Sequence, residues 1–290
     1  MSPGDFEFIC RLVRRRSGIV VAIDKTYLVE TRLSPLLRRR QLSSISEIVQ
    51  RLRAGDPALE KLVVEAMTTN ETLFFRDRTP FEHFQNLILP SLMGSRPRGS
   101  TVRIWCAACS SGQEPYSIAM LLDDLGLVGT GWNFQITGTD ISEAMIERAR
   151  EGIYTQFEVQ RGLPVKLLIK FFAQDGQTWQ IDKRLRDKVT FKSLNLLDDF
   201  SALGRFDVIF CRNVLIYFDD QTKTSLMNRL ARALTPDGFL VLGSAESPYG
   251  LTESLARHQE EPNVMVRADG PLAAHQLVPA TTARAGIRSF

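Results

Sequence analysis

Apolar positions near the start of the chain recur at the spacing of an α-helix. Phe6, Ile9 and Val13 share one helical face, and Gly18 stands where that helix would end. A second helix is predicted over about residues 25–40, with an interruption at Ser34-Pro35, because proline lacks the N–H that a helix interior needs. Start signals for three further helices follow: the capping box Ser44-Ile-Ser-Glu47, then Asp56-Pro57, then Thr79-Pro80. We therefore expect an all-helical domain over residues 1–75.

The pattern changes after the loop-like stretch 94–100. Short apolar runs, typical of buried strands, now alternate with helical stretches. Strands are predicted at 102–105, 134–138, 189–192, 206–210 and 239–243, and helices at 113–125, 142–151 and 220–234. This alternation predicts an α/β domain over 76–267 with a parallel, doubly wound sheet. Asp175-Gly176 between two apolar stretches predicts an antiparallel hairpin within an inserted subdomain at about 153–190. Residues 268–290 are rich in Ala, Pro, Thr and Arg and are expected to be disordered.

Charge is distributed unevenly along the chain. The net charge is only +3, but between Arg11 and Arg53 eleven Lys and Arg stand against three Asp and Glu. Such a segment can face an acidic partner or a nucleic acid. The alternative is an ordinary set of solvated helix faces. Charge alone does not decide between these interpretations.

Four cysteines among 290 residues are too few for a disulfide framework. Cys106-Ala-Ala-Cys109 has the CxxC spacing of some metal and redox sites. A second cysteine pair that could complete a metal site is missing, and the chain has only three histidines. Small residues in a strand-to-helix turn explain the motif better, so no metal is expected. Without a signal pattern or an apolar run of the roughly 20 residues that cross a bilayer, we expect a cytoplasmic protein with no membrane insertion.

Three predicted strand ends carry polar residues. The loop from Cys106 to Gly112 is built of small residues, which allow the backbone to approach a ligand closely. Asp140 follows the next strand, where a carboxylate can accept hydrogen bonds from ribose hydroxyls or cap the following helix. Asn213 and Tyr217 follow the strand 206–210. A GxGxxG fingerprint is missing, which disfavours a nicotinamide enzyme. From these residues, nicotinamide and S-adenosylmethionine both remain possible cofactors.

Four motifs together resemble the chemotaxis-receptor methyltransferase family, which esterifies glutamates. Their order and spacing also fit the family, and the resemblance covers about residues 4–267. The motifs are Thr68-Thr-Asn70-Glu-Thr72-Leu-Phe-Phe-Arg76, Ala108-Cys-Ser-Ser-Gly-Gln-Glu114-Pro-Tyr-Ser117, Gly138-Thr-Asp140-Ile-Ser, and Phe210-Cys-Arg-Asn213-Val-Leu-Ile-Tyr217-Phe. The resemblance implies a Rossmann-like class I S-adenosylmethionine methyltransferase domain with a small inserted antiparallel β-subdomain, preceded by an all-α domain.

The resemblance also implies the site residues. Arg76 and Tyr217 are expected to be catalytic. Asp140 would hold the ribose of S-adenosylmethionine, and Glu114 and Arg76 its amino-acid end; the product would be S-adenosylhomocysteine. The full set of expected cofactor-binding residues is Asn70, Thr72, Arg76, Glu114, Asp140, Asn195, Leu196, Asn213 and Val214.

The acceptor implied by the resemblance is a glutamate on the helical cytoplasmic domain of a chemoreceptor. An ionised carboxylate needs no general base, which suits a chain whose histidines all lie outside the four motifs. The basic N-terminal helices would contact the acidic partner. A short hairpin turn at Asp175-Gly176 argues against docking of a receptor C-terminal peptide.

Two rival functions are disfavoured. A nucleic-acid methyltransferase would often carry an Asn/Asp-Pro-Pro-Tyr-type motif, which is missing from this sequence, so no nucleic-acid partner is expected. A non-catalytic module that binds only the cofactor or a receptor is disfavoured by the intact set Arg76, Glu114, Asp140, Asn213 and Tyr217.

Overall fold

The first four helices form a bundle with its own apolar core. The structure, a computed structural model, describes residues 1–246, 250–259 and 261–275. Ile9, Val29, Leu33, Ile48 and Val63 are fully buried where the four helices meet. The helices are α1 (Pro3–Ser17), α2 (Thr26–Arg40), α3 (Ile45–Arg53) and α4 (Pro57–Met67).

The predicted helix ends are confirmed in most places. Gly18 ends α1 with a left-handed φ of 78°, and the Asp56 side chain accepts a hydrogen bond from the N–H of Leu59 at the start of α4. Two predictions are wrong. Helix α2 continues through Pro35. The proline is exposed, and it removes one main-chain N–H donor from the helix. Ser44 caps α3 as predicted, but Glu47 accepts from the N–H of Ser43 and not from that of Ser44.

The rest of the chain builds the α/β domain. A π-helical turn, Phe84–Ile88, joins its first two helices. Its elements are α5 (Thr79–His83), α6 (Leu89–Ser95), β1 (Thr101–Ala107), α7 (Gln113–Asp124), β2 (Asn133–Asp140), α8 (Glu143–Glu151), β3 (Ile153–Thr155), α9 (Gln156–Gln160), α10 (Val165–Phe171), β4 (Phe172–Asp175), β5 (Thr178–Ile181), α11 (Lys183–Arg186), β6 (Val189–Ser193), β7 (Phe206–Cys211), α12 (Asp220–Ala233), β8 (Leu234–Leu242), β9 (Leu255–Arg257), β10 (Val264–Arg267) and α13 (Pro271–His275).

The main sheet has the strand order β6-β2-β1-β7-β8-β10-β9. Strands β1, β2, β6, β7 and β8 pair in parallel, and β10 and β9 add antiparallel pairs at one edge. The chain runs from β1 towards β2 and later returns to place β7 on the other side of β1. The switch point between β1 and β7 is where open α/β sheets bind ligands. The predicted Rossmann-like fold is confirmed; β9 and β10 were not predicted.

The inserted subdomain is a three-stranded antiparallel sheet in the order β3-β5-β4. The predicted hairpin is confirmed, with only residues 176–177 between β4 and β5. Phe74, in the segment between the two domains, packs edge-on against Tyr154 of β3 and Phe172 of β4, with ring centroids 4.9 and 5.6 Å away. The insertion is therefore anchored beside the domain joint.

The prediction of a disordered tail from Ala268 is wrong at its beginning. The N–H of Ala268 donates to the carbonyl of Ser254, and α13 packs against β8 and β10 with Ala273 buried. The sequence is low in large apolar residues here, but neighbouring strands supply the surface on which this short helix packs. Residues 276–290 lie outside the described residues.

Candidate functional site

A cavity opens at the carboxyl ends of the parallel strands, at the switch point between β1 and β7. It contains about 900 Å³ of space, part of which is open to solvent, at the place where open α/β sheets bind ligands. All the residues predicted for the cofactor and for catalysis line it. They are Asn70, Thr72, Arg76, Glu114, Asp140, Asn195, Leu196, Asn213, Val214 and Tyr217.

Asp140 stands at the end of β2 and is 6% exposed. One carboxylate oxygen accepts the N–H of Ser110 at 2.8 Å, and the other accepts the N–H of Ser142 at 2.9 Å. Burial raises the pKa of Asp140, and these backbone hydrogen bonds oppose that rise. Helix α8 is capped by Ser142, so Asp140 is not the helix cap that the sequence allowed. The carboxylate lines the cavity and keeps acceptor capacity for a ligand.

Glu114 lies in the first turn of α7, at the bottom of the cavity. Its carboxylate accepts Nη1 of the buried Arg212 at 2.8 Å. Nη2 of Arg212 donates to the carbonyl of Arg76 at 2.7 Å and to Asp77 at 3.0 Å. Burial raises the pKa of Glu114, while the Arg212 guanidinium lowers it. Arg212 thereby ties the acidic wall of the cavity to the segment that carries Arg76. We call Asp140 and Glu114 the floor of the cavity.

The loop after β7 is held by one carboxylate that the sequence did not point to. Glu246 is buried beyond the end of β8. One of its oxygens accepts the N–H groups of Asn213 and Gly243, each at 2.8 Å; the other accepts those of Val214 and Leu215 at 2.8 and 2.7 Å. These four hydrogen bonds fix a loop in which Asn213 has a left-handed φ of 57°.

Strained backbone gathers around this cavity. A positive φ is unusual for a residue with a side chain, and such residues concentrate at functional sites. In the described ranges, the only non-glycine residue with positive φ away from the site segments is Gln41, at the end of α2. The others are Phe75, Asp77, Arg78, Ala108, Ser110 and Asn213, which line the cavity or flank Arg76. Gly112, with φ 93°, completes the loop after β1.

Arg76 and Tyr217 are half-buried, and we call them the rim of the cavity. Arg76 donates from Nη1 to the carbonyl of Glu71 at 2.9 Å, and it forms no ion pair within the described part of the chain. Within the described residues, Arg76 therefore does not join the two domains through a salt bridge. The Tyr217 hydroxyl likewise has no hydrogen-bond partner among the described residues, although Tyr217 lines the cavity. Both polar groups can bind a ligand without breaking an existing ion pair.

The N-terminal domain closes one side of the cavity. Ser17 and Ile19 line it, Ile19 forms an antiparallel bridge with Phe218, and the N–H of Val20 donates to the carbonyl of Tyr217 at 2.9 Å. The Asn195 amide participates in this joint. Its nitrogen donates to the carbonyl of Arg16 at 2.6 Å, and its oxygen accepts the N–H of Leu197 at 3.0 Å. Asn195 is thus at the cavity, with its amide engaged in joining the domains.

The CxxC motif has an ordinary structural role. Cys106 lies in β1 and Cys109 in the turn after it, and both are buried as free thiols. Burial raises the pKa of each thiol well above its usual value, which leaves both protonated and unreactive. Among the described residues, no group of three or more His, Cys, Asp or Glu could hold a metal ion.

Several residues that support the site were not predicted from the sequence: Arg212, Glu246, Ser110, Ser17 and Ile19. A signal existed for three of them. Ser110 stands in the loop of small residues after β1, within one of the four motifs. Arg212 directly follows an apolar strand within one of the four motifs, and Glu246 follows the end of β8, a fourth strand end. For Ser17 and Ile19 no local signal exists, because their role depends on how the two domains meet.

None of the helices in the described ranges combines the length and the apolar character needed to cross a bilayer.

Comparison with known proteins follows the same division of the chain. The family described as "CheR methyltransferase, all-alpha domain" matches residues 4–68, and "CheR methyltransferase, SAM binding domain" matches residues 70–262. The chain is similar to chemotaxis protein methyltransferase 1 of Pseudomonas aeruginosa, with 40% identity across 91% of this chain and 97% of that protein. It is also similar to chemotaxis protein methyltransferase Cher2 of Pseudomonas putida, with 40% identity across 92% of this chain and 100% of that protein. Chemotaxis protein methyltransferase 1 of Vibrio cholerae is 39% identical across 92% of this chain and 98% of that protein.

Proposed function

The chain belongs to the CheR methyltransferase family, and from this premise we propose that it esterifies glutamate side chains on the cytoplasmic helical domain of a chemoreceptor. It is an S-adenosylmethionine-dependent methyltransferase of chemotaxis.

One observation carries this proposal. A single cavity combines a floor of buried, hydrogen-bonded carboxylates with a rim that offers an arginine free of ion pairs and a tyrosine hydroxyl without a partner in the described ranges. A guanidinium fork matches the geometry of a carboxylate. A phenol can donate the further hydrogen bond that orients it. The rim therefore suits an acidic acceptor.

The residues of the floor fit S-adenosylmethionine. Asp140 keeps acceptor capacity for the two ribose hydroxyls, and Glu114 with Arg76 would hold the amino-acid end. Asn195 and Leu196 would lie beside the adenine, with the Asn195 contact made through its main chain because its amide is engaged. The enclosure is completed by Asn70, Thr72, Asn213 and Val214.

The chemistry depends mainly on positioning. The cofactor supplies a methyl group activated by a sulfonium charge. Arg76 would guide the acceptor carboxylate, and Tyr217 would donate a hydrogen bond that fixes its orientation. The carboxylate oxygen forms the new bond to the methyl carbon as the carbon–sulfur bond breaks, which gives a methyl ester and S-adenosylhomocysteine. No proton has to be removed, because the acceptor is already ionised at neutral pH.

The basic N-terminal helices would contact the receptor through a smaller set of residues than the sequence suggested. Arg14, Arg16 and Arg51 pair with Asp219, Glu60 and Glu47. In the described part of the chain, the exposed arginines at the end of α2 have no such pairs; they are Arg38, Arg39 and Arg40. These three would attract an acidic receptor and speed association.

We also propose that a receptor C-terminal peptide is not required. The hairpin of the inserted subdomain has only residues 176–177 between its strands. Calorimetry with such a peptide checks this proposal: no heat of binding is expected, and micromolar or tighter binding would contradict it.

The test of the function is methyl transfer to a chemoreceptor cytoplasmic fragment from methyl-labelled S-adenosylmethionine. Carboxyl methyl esters release methanol in alkali, whereas methylated amines and bases do not. We expect volatile label after alkali, and none with a fragment whose acceptor glutamates are replaced by alanine. Label that stays on the protein in alkali would move the acceptor to nitrogen and overturn the proposal.

A further inference from the structure

Two segments that border the cavity carry exposed apolar side chains: the residues from the end of α1 to the first turn of α2, and the loop after β7. Four large apolar side chains there face solvent: Val20 is 45% exposed, Ile23 88%, Tyr27 61% and Ile216 50%. We call these four residues the apolar collar. Exposed apolar side chains that form one continuous patch are typical of an interaction site.

The collar is continuous with the rim of the cavity. The N–H of Val20 donates to the carbonyl of Tyr217, the residue directly after Ile216. Ile19 and Phe218, on either side of this hydrogen bond, form an antiparallel bridge and line the cavity. Ile23 lies in the turn closed by the N–H of Lys25 and the carbonyl of Ala22. Tyr27 lies in the first turn of α2, with the Lys25 ammonium 5.7 Å from the centroid of its ring. The collar residues therefore lie on the two segments that are joined beside Tyr217.

Other exposed apolar side chains are found in two separate places in the described ranges. Leu125 and Val128 follow α7, and the inserted subdomain contains the rest: Ile153, Phe157, Val165 and Ile169. Neither group lines the cavity. The collar therefore differs from them by its position, and the inserted subdomain offers a matched control.

We infer that the apolar collar binds the partner helix on both sides of the glutamate that enters the cavity. This inference rests on the proposed function. Residues three and four positions apart on a helix lie about 5–6 Å from each other. When one glutamate of a helix reaches the rim, the side chains one turn away would contact the collar, which begins at Val20 beside Tyr217. The preferred partner is therefore an amphipathic helix with apolar side chains one turn before or after its acceptor glutamate.

The charges of α2 favour a partner helix that lies along it. Helix α2 begins beside the collar and ends at Arg38, Arg39 and Arg40. From Tyr27 to Arg38 the helix rises by roughly 17 Å, at about 1.5 Å per residue. The exposed residues between them, Thr31 and Pro35, lie on the same face at helical spacing and carry no charge. A partner helix along α2 would place apolar side chains on the collar and acidic ones near the three arginines.

The test measures turnover and KM for a receptor cytoplasmic fragment truncated before its C-terminal peptide. The variant is Ile23→Ser with Tyr27→Ser, and the control is Val165→Ser with Ile169→Ser. For the collar variant we expect KM to rise about tenfold, because tyrosine is among the residues whose truncation costs most at interfaces. The kcat and the affinity for S-adenosylhomocysteine should stay unchanged, because neither Ile23 nor Tyr27 lines the cavity. The control should keep the wild-type KM.

Salt separates the collar from the arginines. The KM ratio of collar variant to wild type should stay constant as salt is raised, since apolar contacts are not screened. The ratio for Arg38→Ser with Arg39→Ser and Arg40→Ser should shrink towards one.

A collar variant with the wild-type KM, or a control whose KM rises equally, would overturn the inference. A wild-type chain that forms no base-labile ester would overturn the proposed function and this inference with it; esters with an unchanged collar KM would overturn this inference alone.

Discussion

The floor and the rim of the cavity use polar side chains in opposite ways. On the floor, Asp140 and Glu114 are buried, and each accepts hydrogen bonds that fix its position. At the rim, Arg76 and Tyr217 are half-buried. Within the described residues, the Arg76 guanidinium forms no ion pair and the Tyr217 hydroxyl forms no hydrogen bond. Fixed acceptors suit a ligand that is bound in one pose in every cycle. Free donors suit a group that enters, reacts and leaves.

Loss of the Glu246 carboxylate, which holds the loop after β7, should have the largest effect on the stability of the fold. In Glu246→Gln, the amide NH₂ must face two backbone N–H groups in either orientation, so two buried donors lose their acceptor. We expect the free energy of unfolding to fall by about 3 kcal/mol, as measured by urea denaturation. Glu253→Gln, at an exposed position near β9, is the matched control and should change little. Equal stability of both variants would contradict the role of Glu246.

The floor should control cofactor affinity. Asp140→Ala removes the acceptor proposed for the ribose, and we expect calorimetry to show S-adenosylhomocysteine binding weakened about 100-fold, or roughly 2.7 kcal/mol. Glu143→Gln, three residues further on, removes an exposed carboxylate that pairs with Lys61 and should leave the affinity unchanged. An Asp140→Ala chain that binds as wild type would place the ribose elsewhere.

Arg76 is proposed to contact both the acceptor and the cofactor, so its variants should change both kcat and cofactor affinity. Arg76→Ala is expected to lower kcat about 30-fold and the affinity for S-adenosylhomocysteine several-fold, because one guanidinium serves acceptor and cofactor. Arg76→Lys keeps the charge but not the fork and should recover only part of kcat. Full activity and affinity in Arg76→Ala would remove it from the site.

Acid pH should weaken cofactor binding several-fold. Burial raises the pKa of Asp140, so its carboxylate takes up a proton at a higher pH than an ordinary aspartate. The protonated form offers fewer acceptors, so affinity should fall as pH falls through this raised pKa. For folding without ligand the sign is opposite: the contribution of Asp140 to stability decreases as pH rises through the same pKa. Calorimetry at a series of pH values below neutral should show the loss in wild type and a smaller loss in Asp140→Asn, where the buried Glu114 carboxylate still takes up a proton.

The residues at strand ends could be predicted because a parallel sheet brings its carboxyl ends to one edge. This rule and the resemblance of the motifs are enough to find Asp140, Asn213 and Tyr217 in the amino-acid sequence. Arg212 stands in one of the motifs, yet its role could not be predicted, since its partners Glu114 and Asp77 come from distant segments. The four hydrogen bonds that Glu246 accepts likewise depend on a loop that only the fold brings to it.

The errors in the fold prediction have local physical causes. Pro35 suggested a break, but the packing of Val29, Leu33 and Leu36 maintains α2 on both sides of the proline. Strands β9 and β10 have only three and four residues, too short for a clear alternation. Helix α13 is one turn that forms because β8 and β10 provide a surface.

The measurement that most directly tests the division between floor and rim is turnover and cofactor affinity in Tyr217→Phe, compared with wild type. The substitution removes only a hydroxyl that has no partner among the described residues, so the fold should be unchanged. We expect kcat for ester formation to fall about tenfold, consistent with the loss of one hydrogen bond to a charged group, with the affinity for S-adenosylhomocysteine within about twofold of wild type. A parallel loss of affinity, or an unchanged kcat, would contradict the assignment of the rim to the acceptor.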